Sequence, residues 1–256
     1  MVSRADLERQ RQNNAHLSSL VIGQLEEFFR SLDLSIPALA RDALIAFTKG
    51  LVAKYGPVAE SMALEWYDEQ RLASGARGTF RATSAPVSIP SAAVEAKVRY
   101  LAGHLWTPTP ENMLKPLSSS LDKYVKQPGR DAIQWNARRE RARWARVPTG
   151  EKTCAFCLVM ASRDAVYLSE RSAGSKKFGP ENEFHGLCDC EVVRIARDED
   201  YPDGYIPSDL YDIYDIGADK AGTRTNIKAI VYDLRRRFPD RFTDGVTDED
   251  YLARAG

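Results

Sequence analysis

All four cysteines of this 256-residue chain lie between positions 154 and 190. They fall in two patches, Thr153-Cys154-Ala155-Phe156-Cys157 and Phe184-His185-Gly186-Leu187-Cys188-Asp189-Cys190. A short module with few large apolar groups cannot bury enough surface to hold itself together, so its stability must come from elsewhere. Cys154 and Cys157 have the C-x2-C spacing that lets two thiolates face one ion from a tight turn. His185, Cys188 and Cys190 follow as H-x2-C-x-C. Zinc takes four nitrogen or sulfur ligands in a tetrahedron, and five candidates here compete for four places. A structural zinc ion, with an apparent binding free energy of about 10–16 kcal/mol in small peptides, would hold such a module folded.

Three other readings stand beside zinc. The thiols are reduced and partly buried; they form disulfides; or Cys154 and Cys157 form a redox dithiol. The paired spacings argue against the first. The expected reducing compartment argues against the second, because the first dozen residues are charged and lack the apolar core of a signal peptide. No βαβ pattern surrounds the dithiol. A catalytic metal would need the H-x-E…P-C-x-x-C order of a deaminase or the H-E-x-x-H of a zincin, and neither is present. With four or five soft ligands close together, no position stays open for water, and the site reads as structural.

The rest of the chain predicts a mainly α fold: a helical N-terminal region, a small α/β zinc-knuckle module and a helical C-terminal tail. Ser3 with Asp6 marks a helix start, after which Leu17, Leu20, Val21, Leu25, Phe28 and Leu32 recur on one face. A second helix is expected over 36–55, broken by Gly56-Pro57, and a third from Val58 to about Leu72. Residues 1–72 then form an N-terminal helical bundle, and 73–90, rich in Gly, Ser, Thr and Pro, a loop or hinge. Residues 91–148 form a helical region with helices at 91–104, 111–127 and 130–146. The knuckle module occupies 149–195, with β-like runs at 165–169 and 190–195. An acidic linker and two closing helices fill 196–256, the last with a stripe of Ile227, Ile230, Val231, Leu234 and Phe238.

The 36 basic and 36 acidic residues cancel, so no global field points to nucleic acid or a membrane surface. No apolar run approaches the ~18 residues of a membrane span. Local charge is less even. Within 130–146, Arg138, Arg139, Arg141, Arg143 and Arg146 surround an expected helix with Trp135 and Trp144 among them. Guanidinium groups suit phosphate and the indoles could stack on bases. The competing reading is intramolecular pairing, for instance with the acidic stretch at 198–203.

The run R-V-P-T-G-E-K-T-C-A-F-C-L-V-M-A-S-R-D-A-V-Y, followed by F-H-G-L-C-D-C-E-V-V, resembles the C-terminal module of the phage Mu F-like minor head proteins. These are the phage head morphogenesis proteins, in the form common among phages of actinobacteria. The resemblance covers about residues 146–195; where many members carry arginine between the last two cysteines, this chain has Asp189. It implies a minor component of the procapsid, present in few copies. It implies as partners the portal, capsid or scaffold proteins, with packaged DNA as a further contact and no membrane. The expected location is the virion, in the capsid interior or portal region, after assembly in the host cytoplasm. No catalytic residues are assigned. The runner-up is a capsid maturation protease of the serine type, for which His16, His104 and the serines at 88, 91 and 118–120 are the raw material, without a nucleophile-elbow sequence. A second alternative is a zinc-stabilised DNA-binding protein acting through the arginine-rich segment.

Overall fold

The computed structural model describes residues 2–86, 89–165, 184–197 and 200–246. In chain order the elements are α1 (Arg4–Ser31), α2 (Pro37–Ala73), α3 (Ser91–Leu101), α4 (Leu114–Glu140), β1 (Arg143–Pro148), α5 (Ala155–Ala161), β2 (Cys190–Ile195), α6 (Pro207–Ala221) and α7 (Ile227–Arg237). Short 3-10 turns cover Ala102–Trp106, Pro110–Met113 and Pro239–Arg241. The fold is mainly α, and among the described residues no helix is long and apolar enough to cross a membrane.

The chain divides into two compact units that do not follow its linear order. One comprises Arg9–Arg139 and Phe184–Leu187; the other comprises Met1–Glu8, Glu140–Glu183 and Cys188–Gly256. The first is helical. Its core is built from Leu17, Val21, Leu25 and Phe29 of α1, Leu44, Leu51, Tyr55 and Ala59 of α2, Val98 and Leu101 of α3, and Leu117, Leu121 and Val125 of α4. These residues recur at spacings of three and four, which is why four helices can share one apolar interior.

Two expected helix breaks are absent. Gly56-Pro57 lies inside α2, and Pro128-Gly129 lies inside α4, so each is one continuous helix. A proline within a helix removes one backbone bond and costs about 3 kcal/mol or more. At Pro57 the damage falls on the exposed side, where Ala53 and Pro57 both face water. On the other side Tyr55, Ala59, Ala63, Trp66 and Tyr67 are buried, and burial of this order outweighs one missing bond. The two glycines have a common reason. A Cβ on Gly129 would lie 2.6 Å from the Ala59 carbonyl oxygen, and one on Gly56 would lie 3.4 Å from the Pro128 ring. α2 and α4 therefore cross with their backbones nearly touching.

In the connection after α2, residues 80–85 take no regular secondary structure and are hydrogen-bonded by Asp68, Arg71, Asn136 and Arg139. The four residues Phe184–Leu187 are fixed in this same unit. Arg130 lies 4.1 Å over the Phe184 ring, and the Leu187 N–H donates to Asp122 at 2.8 Å. Lys126 approaches the same buried carboxylate at 2.9 Å.

The second unit contains the two-stranded antiparallel sheet, with Arg143 opposite Ile195 and Pro148 opposite Cys190. The helix expected over 130–146 is thus wrong beyond Glu140. Arg141 takes a left-handed φ of 58°, which ends the helix, and Arg143–Pro148 pair with β2 instead. Local propensity favoured helix; a partner strand more than forty residues away in sequence decided otherwise. Against α5 the tail packs its apolar stripe, with Ile227, Ile230, Val231 and Leu234 buried beside Leu158, Val159 and Met160. Ser3 and Asp6 form the expected reciprocal cap at the start of α1, each backbone N–H donating to the other's side chain at 3.1 Å. Most of the β-like run at 165–169, the loop up to 183 and part of the acidic linker lie outside the described residues.

The crossing yields a paired prediction. Gly129→Ala should destabilise the protein by about 1–3 kcal/mol through overpacking. Gly50→Ala, on α2 with nothing within 4 Å, should instead gain about 0.5–1 kcal/mol. Denaturant melts of the two variants check this, and equal effects would contradict the close crossing.

Candidate metal centre

The site begins where β1 ends. Pro148 stops the strand, and residues 149–153 turn the chain into α5, whose first helical residue is Ala155. Cys154 is the residue just before the helix, with extended backbone, and its sulfur accepts a hydrogen bond from the Cys157 N–H at 3.3 Å. A thiol is doing what serine or aspartate commonly does at a helix start. The C-x2-C spacing thereby places both sulfurs on the same side of the first turn, within 4.8 Å of each other.

The other knuckle arrives through the sheet. Because Cys190 pairs with Pro148, the start of β2 lies beside the end of β1, and Cys188 and Cys190 are delivered to the mouth of the first knuckle. The sulfurs of Cys157 and Cys188 are 3.1 Å apart, and those of Cys157, Cys188 and Cys190 lie within 4.8 Å of one another, with a carboxylate oxygen of Asp189. All four cysteines are buried thiols outside any disulfide. Four thiolates at zinc–sulfur distances of about 2.3 Å would stand roughly 3.8 Å apart, so the observed cluster needs only small adjustments to hold an ion. The donors are soft sulfur and imidazole groups, a cluster that could bind a metal ion.

His185 forms with Cys154 and Cys157 a second group whose ligand atoms lie within 4.8 Å of one another, and its Nδ1 lies 2.7 Å from the Gly186 carbonyl oxygen.

Two residues that sequence reasoning did not assign hold this geometry. Asp189 sits between the two closing cysteines and accepts hydrogen bonds from Thr153 Oγ1 at 2.9 Å and Gly150 N–H at 3.2 Å. It ties the second knuckle to the turn that carries the first. Burial raises its carboxyl above the usual range, against the hydrogen bond from Thr153. Asp244 accepts from the Ala155 N–H at 2.9 Å and from Arg235 Nε at 2.7 Å, fixing the start of α5 to α7. The segment after α7 also reaches Thr153 by a bridge at Phe242 and by the Thr243 N–H, which donates to the Thr153 carbonyl oxygen at 3.1 Å. These contacts join positions distant in sequence, and no local pattern announces them.

The arginines and tryptophans expected on one helix are dispersed. Trp135, Arg138 and Arg139 are on α4, Arg141 is in the turn, and Arg143, Trp144 and Arg146 are on β1, the last two buried. Arg139 donates to Thr83 Oγ1 at 2.8 Å and to Asn136 Oδ1 at 2.7 Å. A continuous basic helical face, the basis of the DNA reading, is therefore not formed. Elsewhere on the sheet, Arg194 binds Glu140 at 2.6 Å and approaches Asp200 at 3.7 Å, so part of the acidic linker pairs with an arginine of β2. Of the histidines weighed for proteolysis, His16 is exposed on α1 and His104 lies in the 3-10 turn after α3.

In the metal-free cluster the Cys157 thiol is held well above its ordinary range by hydrogen bonds with Cys154, Cys188 and Cys190 and by burial. Cys190 is raised as well: the hydrogen bond with Cys157 pulls it down, but Cys188 and burial push harder. A raised thiol favours the protonated folded state. That stabilisation is complete below the unfolded value, about 8.5, and is lost as pH climbs toward the raised values. Chelator-treated protein should therefore lose thermal stability from about pH 8.5 upward, while zinc-supplied protein, whose bound thiolates carry no proton, should keep it. Identical melting profiles with and without chelator across that range would contradict a shared cluster.

No solved structure matches this chain. The Gene 15 protein of Mycobacterium phage D29 is 37% identical over 82 residues, which covers 23% of this chain and 30% of that protein. The similarity thus spans less than a third of the phage relative. A family profile described as VG15 protein matches residues 1–216. A match over that much of the sequence, with a bacteriophage relative beside it, shows that the chain belongs to the VG15 protein family, a family of phage proteins.

Proposed function

We propose that this phage protein is a minor capsid protein of the head morphogenesis type, acting structurally at the portal or the inner capsid surface during assembly, DNA packaging or ejection. The observation that supports the reading is the meeting of the two knuckles. The knuckle residues that carry the resemblance to Mu F-like minor head proteins, Cys154, Cys157, His185, Cys188 and Cys190, fall in two candidate metal-holding groups that share Cys157. Membership of a phage protein family agrees with it. On this reading the cluster holds a structural zinc ion that locks α5 to β2, and the helices supply the surfaces that contact portal, scaffold or coat protein.

The metal and the role are tested separately. Purified protein should carry about one zinc per chain, and Cys188→Ser or Cys190→Ser should lose it. Cys154→Ser and His185→Ala then identify the fourth ligand: the substitution that releases zinc names it. For the role, particles from infected cells should contain this chain, and a nonsense mutation in its gene should sharply lower the yield of infectious particles while coat protein is still made. Mature and immature particles that both lack the chain would end the head-protein reading, whatever the zinc content.

A further inference from the structure

The segment that carries His185 and ends one residue before Cys188 is seated on one face of α4. The Phe184 ring lies beneath the Arg130 guanidinium at 4.1 Å. A Cβ on Gly186 would stand 1.9 Å from the Ser119 carbonyl oxygen, so no other residue could bring the chain this close to the helix. The Leu187 N–H donates to Asp122 Oδ2 at 2.8 Å. Ser119, Asp122, Lys126 and Arg130 are spaced by three and four along α4, the interval that puts them on a single side. Within this row Asp122 divides its two oxygens. Its side chain is wholly buried, which is costly for a carboxylate unless donors surround it. Oδ1 is anchored by the Ser18 hydroxyl of α1 and by Lys126 Nζ at 2.9 Å. Helix packing accounts for that oxygen, whereas Oδ2 is directed at the knuckle segment.

Leu187 needs such a hold. Its φ of 57° lies in the left-handed region, which is costly for a residue with a side chain. That side chain is 56% exposed, so packing does little to compensate. The hydrogen bond to Asp122 is the interaction that opposes the strain, and strained backbone held by its surroundings is characteristic of functional sites. The next residue is Cys188, whose sulfur lies 3.1 Å from that of Cys157. A Leu187 relaxed to negative φ would turn the chain in another direction and carry that thiol with it.

We propose that Asp122 is a positioning residue for the metal centre: anchored by Ser18 and Lys126, it keeps Leu187 left-handed and so fixes the direction in which the chain runs on to Cys188. The inference rests on the metal reading of the cysteines. It adds that affinity for the ion is set in part by a buried carboxylate of α4 that is not itself a ligand, in the way that groups behind a ligand orient it.

The test uses the full chain and zinc alone, with affinity measured by competition against a chromophoric chelator and a thermal melt beside it. Asp122→Ala should weaken zinc binding about 10–100-fold. Leu187→Gly, for which left-handed φ carries no strain, should bind zinc as the wild type does, and should recover most of the loss when added to Asp122→Ala. Leu187→Val should weaken binding by itself, because a β-branched residue resists positive φ while its exposed position leaves little packing to lose. A carboxylate that served only helix packing would lower the melting temperature in Asp122→Ala without changing zinc affinity, and that result overturns the inference. So does a loss of affinity that Leu187→Gly leaves unchanged. Should Asp122→Ala fail to fold, Ser18→Ala takes its place, with a smaller loss that Leu187→Gly again recovers; no loss there, with equal affinities for the glycine, leucine and valine forms at 187, overturns it equally. A wild-type chain that binds no zinc ends the metal reading and this inference with it. Zinc bound equally by wild type and Asp122→Ala ends this inference alone.

Discussion

The pairing of Pro148 with Cys190 is the contact on which the sheet unit depends. It sets the register of β1 against β2, and a slip of one residue would turn every side chain of the strand to the opposite face. In the observed register Cys188 and Cys190 meet the turn that bears Cys154 and Cys157. Asp189, Thr149 and Thr153 reinforce that one juxtaposition by hydrogen bonds across the same junction. A two-stranded ribbon is marginal by itself. Here it is bounded at one end by the thiol cluster and packed by α5, which in turn carries the α6–α7 tail, where Gly217 lets the two tail helices approach until Leu234 fills the space a side chain would need.

The helical unit rests on a different constraint, close approach of backbone to backbone. Gly56 and Gly129 stand where α2 and α4 cross, and each is joined to a proline that would ordinarily end a helix. Here the same dipeptides allow contact, because glycine removes the side chain at the crossing while proline's missing hydrogen bond is tolerated. With the two helices this close, side chains on either side of the seam converge on a single segment. Asn136 and Arg139 of α4 and Asp68 and Arg71 of α2 then act on residues 80–85 together.

What could be read from the sequence was whatever is encoded locally. The cap of Ser3 and Asp6 and the stripe of α7 depend on residues a few positions apart, and each appears as expected. The errors share one cause. Gly56-Pro57 and Pro128-Gly129 are breaking signals whose meaning is reversed by a partner helix, and Arg143–Pro148 reads as helix until Cys190–Ile195 lies beside it. Asp189 and Asp244 follow the same rule: each holds the knuckle through positions far away in the chain, so neither is marked by its neighbours.

The arginines show how such an error propagates to function. Counted along the chain, Arg138 to Arg146 make a basic run that invites phosphate. In the fold, Arg139 is directed to Thr83, Asn136 and the Phe80 ring, while Arg146 is buried on a strand. A guanidinium with fixed hydrogen-bond partners and an aromatic ring beneath it has spent much of what it would offer to a nucleic acid. The same five-donor group is well suited to gripping a carbonyl oxygen and a ring at once. A charge run therefore becomes evidence of a ligand only after its internal partners have been subtracted. For this chain that subtraction takes Arg139 and Arg146 out of the run and leaves Arg138 and Arg141 exposed, one on α4 and the other in the turn after it.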